Sequence, residues 1–158
     1  MTTTPIASAV LAQAPAPPEL AAAHFAARLS FEADVSDVHA DLAAEVPGLV
    51  VVDSRGVESW RQGHLPGAVH LPTAEIAARA AALIPADAVV VTYCWGPACN
   101  GATKAALEFA RLGYRVKEMI GGYEYWVREG LTAESVTGPV SRPADDLTVP
   151  TGAAACDC

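Results

Sequence analysis

Residues 89–104 read Val-Val-Val-Thr-Tyr-Cys-Trp-Gly-Pro-Ala-Cys-Asn-Gly-Ala-Thr-Lys, and this stretch restricts the fold more than any other part of the chain. Three consecutive β-branched residues, Val89 to Val91, suit a central strand covered on both faces. Asn100 stands where its side chain can cap the following helix. Ala102, Ala105, Ala106, Leu107, Phe109 and Ala110 then supply helix formers and an apolar face, and Gly113 supplies a stop. A buried strand that feeds a helix through a short loop is the repeating unit of a parallel α/β sheet. Cys94 falls at the carboxyl end of that strand, where such sheets bind their ligands. The helix start offers free N–H groups and the positive end of a dipole, so it favours an anion there. A cysteine in that setting has its pKa lowered from about 8.5 toward roughly 3.5–7.5, which makes Cys94 a candidate thiolate nucleophile. The alternative is a buried, inert cysteine that only fills space.

The same alternation runs through the rest of the chain. Residues 1–18, rich in Ala, Thr and Pro, read as a flexible leader. Residues 19–29 read as a helix with Leu20, Phe25 and Leu29 on one face. Ser36 is placed to cap a helix over 37–45, and strands are expected at 49–52, 68–71, 88–93 and 115–119. Further helices are expected at 57–62, from a Thr73 cap through Leu83, after Asn100, and at 123–129. The expected fold is α/β, a mostly parallel sheet with helices on both faces. The domain is expected over 19–131, its N-terminal helical extension included, and is followed by an irregular Pro-containing tail over 132–158.

Composition narrows the partners. A chain of 158 residues with 52% hydrophobic residues can bury one real core. Its net charge of −8 and pI near 4.8 argue against nucleic acid or an anionic membrane surface as partner. No apolar run is long enough to span a bilayer, and the N-terminus lacks a basic n-region, so the expected compartment is the cytoplasm. Cys94, Cys99, Cys156 and Cys158 form two close pairs, which fits reactive thiols better than a disulfide framework. No cofactor is called for. Cys156 and Cys158 can accept sulfur, hold a soft metal or do nothing, but a lone Cys-x-Cys lacks the ligands of a structural zinc site.

The ordered pieces Val51-Val52-Asp53-Ser54-Arg55, Glu58, Gly63-His64-Leu65-Pro66-Gly67-Ala68, Leu71-Pro72, Val91-Thr92-Tyr93-Cys94 and Gly121-Gly122 with Trp126 resemble the rhodanese (thiosulfate sulfurtransferase-like) domain over residues 37–131. The resemblance implies a sheet of about five strands and a catalytic Cys94 that takes a sulfane sulfur from thiosulfate or a related small anionic donor. A thiol or cyanide then removes that sulfur from the Cys94 persulfide. Substrate contacts are expected from the loop, Trp95, Gly96, Ala98, Cys99, Asn100 and Gly101, and from Arg55 as an anion attractor. The loop departs from the family at Pro97, which replaces a common glycine and removes one N–H. Asn100 stands where phosphate- and arsenate-processing members carry an oxyanion-clamping arginine, so those activities rank last. The competing reading is a non-catalytic or redox-sensing module using Cys94 and Cys99.

Smaller features stay open between function and architecture. Cys99 can resolve an oxidised Cys94 or plug space beneath the loop, the plug being favoured. Trp95 can wall the pocket or fold back on the helix. Asp53 and Arg55 can pair beside the loop, and His64 is open between a general base and the turn-fixing role that the resemblance implies. His24, His39 and His70 show no ligand spacing, Lys104 is a solvated charge near the helix start that can add positive potential near the donor site, and Trp60, Tyr123 and Trp126 are core or rim residues.

Overall fold

The computed structural model describes residues 8–150. Cys156 and Cys158 lie outside the described residues. The chain divides into two units, Met1–Ser30 and Phe31–Cys158. The first is dominated by α1 (Pro18–Phe31), which starts at a proline, as a first helical turn tolerates, and carries no buried residue.

The second unit is built on five parallel strands in the order β1-β5-β4-β2-β3: β1 (Glu32–Ala33), β2 (Leu49–Asp53), β3 (Val69–His70), β4 (Val89–Tyr93) and β5 (Arg115–Met119). The valine-rich strands β2 and β4 pair in register through Val51↔Val91 and Val52↔Thr92, so the apolar run foreseen for the sheet centre is the sheet centre. Alternation along the strands then sorts side chains onto two faces. Val51, Val91, Tyr93 and Met119 pack with Val35 and Val38 of α2 (Val35–Ala43) and with Tyr123, Trp126 and Val127 of α6 (Gly122–Arg128). Val52 and Val90 pack on the other face with Ile76 and Ala80 of α4 (Ile76–Leu83) and Ala105 and Phe109 of α5 (Gly101–Arg111). Helices therefore cover both faces, as expected. The remaining helix, α3 (Val57–Gln62), has the predicted bounds.

Local capping differs from the sequence reading at three points. Asp34, not Ser36, caps α2, its carboxylate accepting from the Asp37 N–H at 2.7 Å, so the helix begins earlier. Thr73 caps nothing; it opens a 3-10 turn (Thr73–Glu75) and its hydroxyl donates to the Ser54 carbonyl. Asn100 occupies the N-cap position of α5 but makes no side-chain cap bond. Gly113 stops α5 as expected, with φ of 90°. The tail is not wholly irregular. β6 (Ala133–Ser135) and β7 (Gly138–Val140) form an antiparallel hairpin, and the His64 and Glu134 backbones exchange two hydrogen bonds of 2.8 Å.

Candidate active site

Cys94 follows the last residue of β4 and is 7% exposed. Its backbone is held by the start of α6. The Tyr123 N–H donates to the Cys94 carbonyl at 2.9 Å and the Glu124 N–H to the Trp95 carbonyl at 2.7 Å. A trans peptide points its N–H opposite its C=O, so fixing the Cys94 carbonyl toward α6 turns the Trp95 N–H toward the sulfurs. This close approach needs glycine at 122, where φ is 62° and a Cβ would meet the Cys94 carbonyl oxygen at 2.6 Å.

The loop then brings a second sulfur to the first. Cys99 N–H donates to the Gly96 carbonyl at 2.9 Å, closing a turn that places Cys99 Sγ 2.7 Å from Cys94 Sγ. Both thiols are free. Gly101 makes room for the pair, since a Cβ there would sit 2.5 Å from Cys94 Sγ and 3.3 Å from Cys99 Sγ. Cys99 is thus a partly exposed neighbour of Cys94 and not a plug under the loop.

The charge distribution reverses the sequence expectation. Burial first, then the hydrogen bond to Cys99, push the Cys94 thiol from 9.0 up to about 11, against the Trp95 N–H that favours its thiolate. Burial also raises the Cys99 thiol, but the hydrogen bond from Cys94, the Gly101 and Trp95 N–H groups and the charge of Lys104 outweigh it and lower its pKa. Two touching thiols share one proton, so the first charge belongs to the pair and rests mainly on Cys99, where the amides converge. The helix-start effect argued for Cys94 is real but is delivered to its neighbour. The charge of Lys104 contributes to it.

The cysteines open into a recess of about 140 Å³ walled by Gly96, Pro97, Ala102, Glu118 and Met119. Several expected substrate contacts are elsewhere. Ala98 and Asn100 are exposed and do not line it. Trp95 turns away into a larger groove of about 720 Å³ with Tyr123 and Arg142, and that groove contains neither cysteine. Size alone would favour the larger groove, but both thiols line the small one.

Arg55 is committed to architecture. Its Nε and Nη2 grip Asp53 at 2.9 and 2.6 Å, Nη2 also donates to the Gly63 carbonyl at 2.6 Å, and its side chain is 1% exposed. The guanidinium lies 4.5 Å from the ring centres of both Trp95 and Tyr123, so it fixes the loop by stacking instead of meeting a ligand in the recess. Tyr93 completes the cluster by donating its hydroxyl to Asp53 at 2.7 Å. His64 is turn-fixing as expected. Its Nδ1 donates to the Trp60 carbonyl at 2.9 Å and its ring stacks on Trp60 at 3.5 Å.

The rhodanese-like domain model matches residues 34–129, more than half of the chain. The chain belongs to the rhodanese-like family. Among solved structures, this rhodanese-like domain is similar to the BH2092 protein from Bacillus halodurans, with 43% identity, a TM-score of 0.73, and coverage of 77% of this chain and 89% of that one. A thiosulfate sulfurtransferase from Pseudomonas aeruginosa shares the fold at 24% identity and a TM-score of 0.59, over 70% of this chain and 21% of the other. Among curated proteins, the HTH-type transcriptional regulator Rv0324 of Mycobacterium tuberculosis is 36% identical over 90 residues. That match covers 57% of this chain and 39% of the regulator, so the chain spans about two fifths of the relative's length. Among the described residues no group of three or more His, Cys, Asp or Glu side chains could hold a metal ion. No helix among them is long and apolar enough to cross a membrane.

Proposed function

We propose that this rhodanese-like domain is a sulfurtransferase that carries a sulfane sulfur on Cys94. The observation that carries the reading is the seating of Cys94 at the end of β4 with the Trp95 N–H turned onto the sulfurs and a proton acceptor, Cys99, 2.7 Å away. The Cys94 proton passes to the Cys99 thiolate, and the Cys94 thiolate attacks the outer sulfur of thiosulfate or a related donor. The donor's sulfur–sulfur bond breaks, sulfite leaves with the electron pair, and Cys94 holds a persulfide. A thiol or cyanide then takes the outer sulfur and returns the thiolate. Phosphate and arsenate, which need a bidentate clamp, meet Asn100 where an arginine would be required, so those activities rank below sulfur transfer. Free thiols in this chemistry belong to a reducing compartment such as the cytoplasm.

The test is cyanide-dependent thiocyanate formation with thiosulfate, mercaptopyruvate and a cysteine persulfide as donors, beside arsenate and an aryl phosphate. Turnover with at least one sulfur donor, lost in Cys94→Ser, is expected. Turnover that survives Cys94→Ser contradicts the reading. A redox-sensing module is the second reading, favoured by the contact between the two sulfurs. It predicts no turnover with any donor and reversible Cys94–Cys99 oxidation.

A further inference from the structure

We infer that Cys99 is the internal acceptor of the sulfur carried by Cys94, so that the pair reduces a sulfane sulfur to hydrosulfide and closes into an intraloop disulfide. The inference rests on the proposed persulfide at Cys94 and adds the fate of its sulfur. Three features place the step. Cys99 Sγ lies 2.7 Å from Cys94 Sγ, within reach of the inner sulfur of a persulfide without moving the backbone. Gly101 leaves the space beside both sulfurs open, where any side chain would push them apart. The Trp95 and Gly101 N–H groups and Lys104 face Cys99, the combination that stabilises an attacking thiolate.

The step balances internally. The Cys99 thiolate attacks Cys94 Sγ, a Cys94–Cys99 bond forms, the bond from Cys94 Sγ to the outer sulfur breaks, and the outer sulfur leaves with the electron pair as hydrosulfide. The two cysteine sulfurs are oxidised by two electrons and the sulfane sulfur is reduced by two, so no outside oxidant enters. Hydrosulfide is the conjugate base of a stronger acid than an alkyl thiol and leaves readily. The recess is small, so a bulky acceptor meets resistance at Cys94 that Cys99 does not. A dithiol reductant or two small thiols then reopen the disulfide for the next turnover.

The experiment is a single turnover of the full reduced chain with thiosulfate, without air and without added thiol, read by hydrosulfide release and by intact and peptide mass. The expected result is one equivalent of hydrosulfide and a protein lighter by two hydrogens, with a Cys94–Cys99 disulfide in the peptide map. Cys99→Ser, which also loses the proton acceptor, is expected to load more slowly, to keep one extra sulfur on Cys94 at long reaction times and to release none. Wild-type protein that retains the extra sulfur and releases no hydrosulfide overturns the inference while leaving the Cys94 persulfide intact. Hydrosulfide release from Cys99→Ser at the wild-type rate overturns it equally. Failure of both proteins to take up sulfur overturns the persulfide reading and this inference with it.

Discussion

Asp53→Asn is the substitution that most directly probes what holds the active-site loop in place. Asp53 is fully buried and accepts from the Arg55 backbone N–H at 2.9 Å, from Arg55 Nε and Nη2, and from the Tyr93 hydroxyl. The neutral amide removes the only carboxylate bonded to the guanidinium among the described residues. It also sets an NH₂ group against donors where Oδ2 now accepts two bonds. Arg55 Nη1 already lacks a partner, so the stranded charge finds no replacement without the fold opening. Removing one member of a buried pair costs about 3–5 kcal/mol. An unsatisfied donor costs about 1–3 kcal/mol, and the two overlap because Asn retains one acceptor. A loss of about 4 kcal/mol follows, roughly 8–16 °C in Tm for a domain of this size. Urea unfolding followed by circular dichroism should show the midpoint fall with an unchanged slope, alongside the melt. The double replacement Asp53→Leu with Arg55→Met should recover part of the loss, because it removes the stranded charge. A loss under about 1 kcal/mol for Asp53→Asn would refute the claim that the pair sits in a dry interior that water cannot relieve.

Two further predictions concern the sulfurs. Gly101→Ala places a methyl 2.5 Å from Cys94 Sγ, and the expected outcome is a loss of about 1–3 kcal/mol with a slowed Cys94 reaction, measured by urea unfolding and thiol labelling. An unchanged labelling rate would contradict the packing. For the pH dependence, the lowered Cys99 thiol ionises first, so iodoacetamide at neutral pH should modify Cys99 ahead of Cys94, as peptide mass would show. The sign for stability follows from the same shifts. Below 9.0 the folded protein gives up the Cys99 proton before the unfolded chain does, so the pair's contribution rises with pH up to 9.0. From 9.0 to about 11 the folded protein keeps the Cys94 proton that the unfolded chain has lost, so the contribution falls. Cys94→Ser should flatten that fall in urea titrations; an unaltered fall would assign it to other groups.

The parts of the fold visible in the chain were those set by local pattern. Val57–Gln62 and Arg115–Met119 have the predicted bounds, and the valine run of β4 lies in the sheet centre. What escaped depends on partners far along the chain. β1 is two residues long and exists only through its pairing with β5. The hairpin of β6 and β7 is short and includes Pro139, which hides a strand signal, and His64 anchors it through Glu134. The helix starts were misplaced because Ser36 and Thr73 match the capping composition as well as Asp34 does, and only the backbone decides which side chain reaches an amide. The Asp53–Arg55 pair was legible from strand position, whereas the sandwich of Arg55 between Trp95 and Tyr123 joins residues that sequence cannot bring together. Cys94 was legible as a thiol at the carboxyl end of a central strand. The transfer of the lowered pKa to Cys99 was not, because it depends on the turn closed by the Cys99 N–H and the Gly96 carbonyl.

Peptide mapping of the Cys99→Ser protein after prolonged thiosulfate treatment at a pH of about 11, where Cys94 ionises without a neighbouring acceptor, is the most direct test of the Cys94 persulfide, because the variant removes the internal sulfur acceptor and leaves any persulfide where it forms. The account predicts one extra sulfur on the peptide that holds Cys94, removed by cyanide and absent from Cys94→Ser. Sulfur found only on Cys156 or Cys158, or no gain with any sulfane donor, would contradict it.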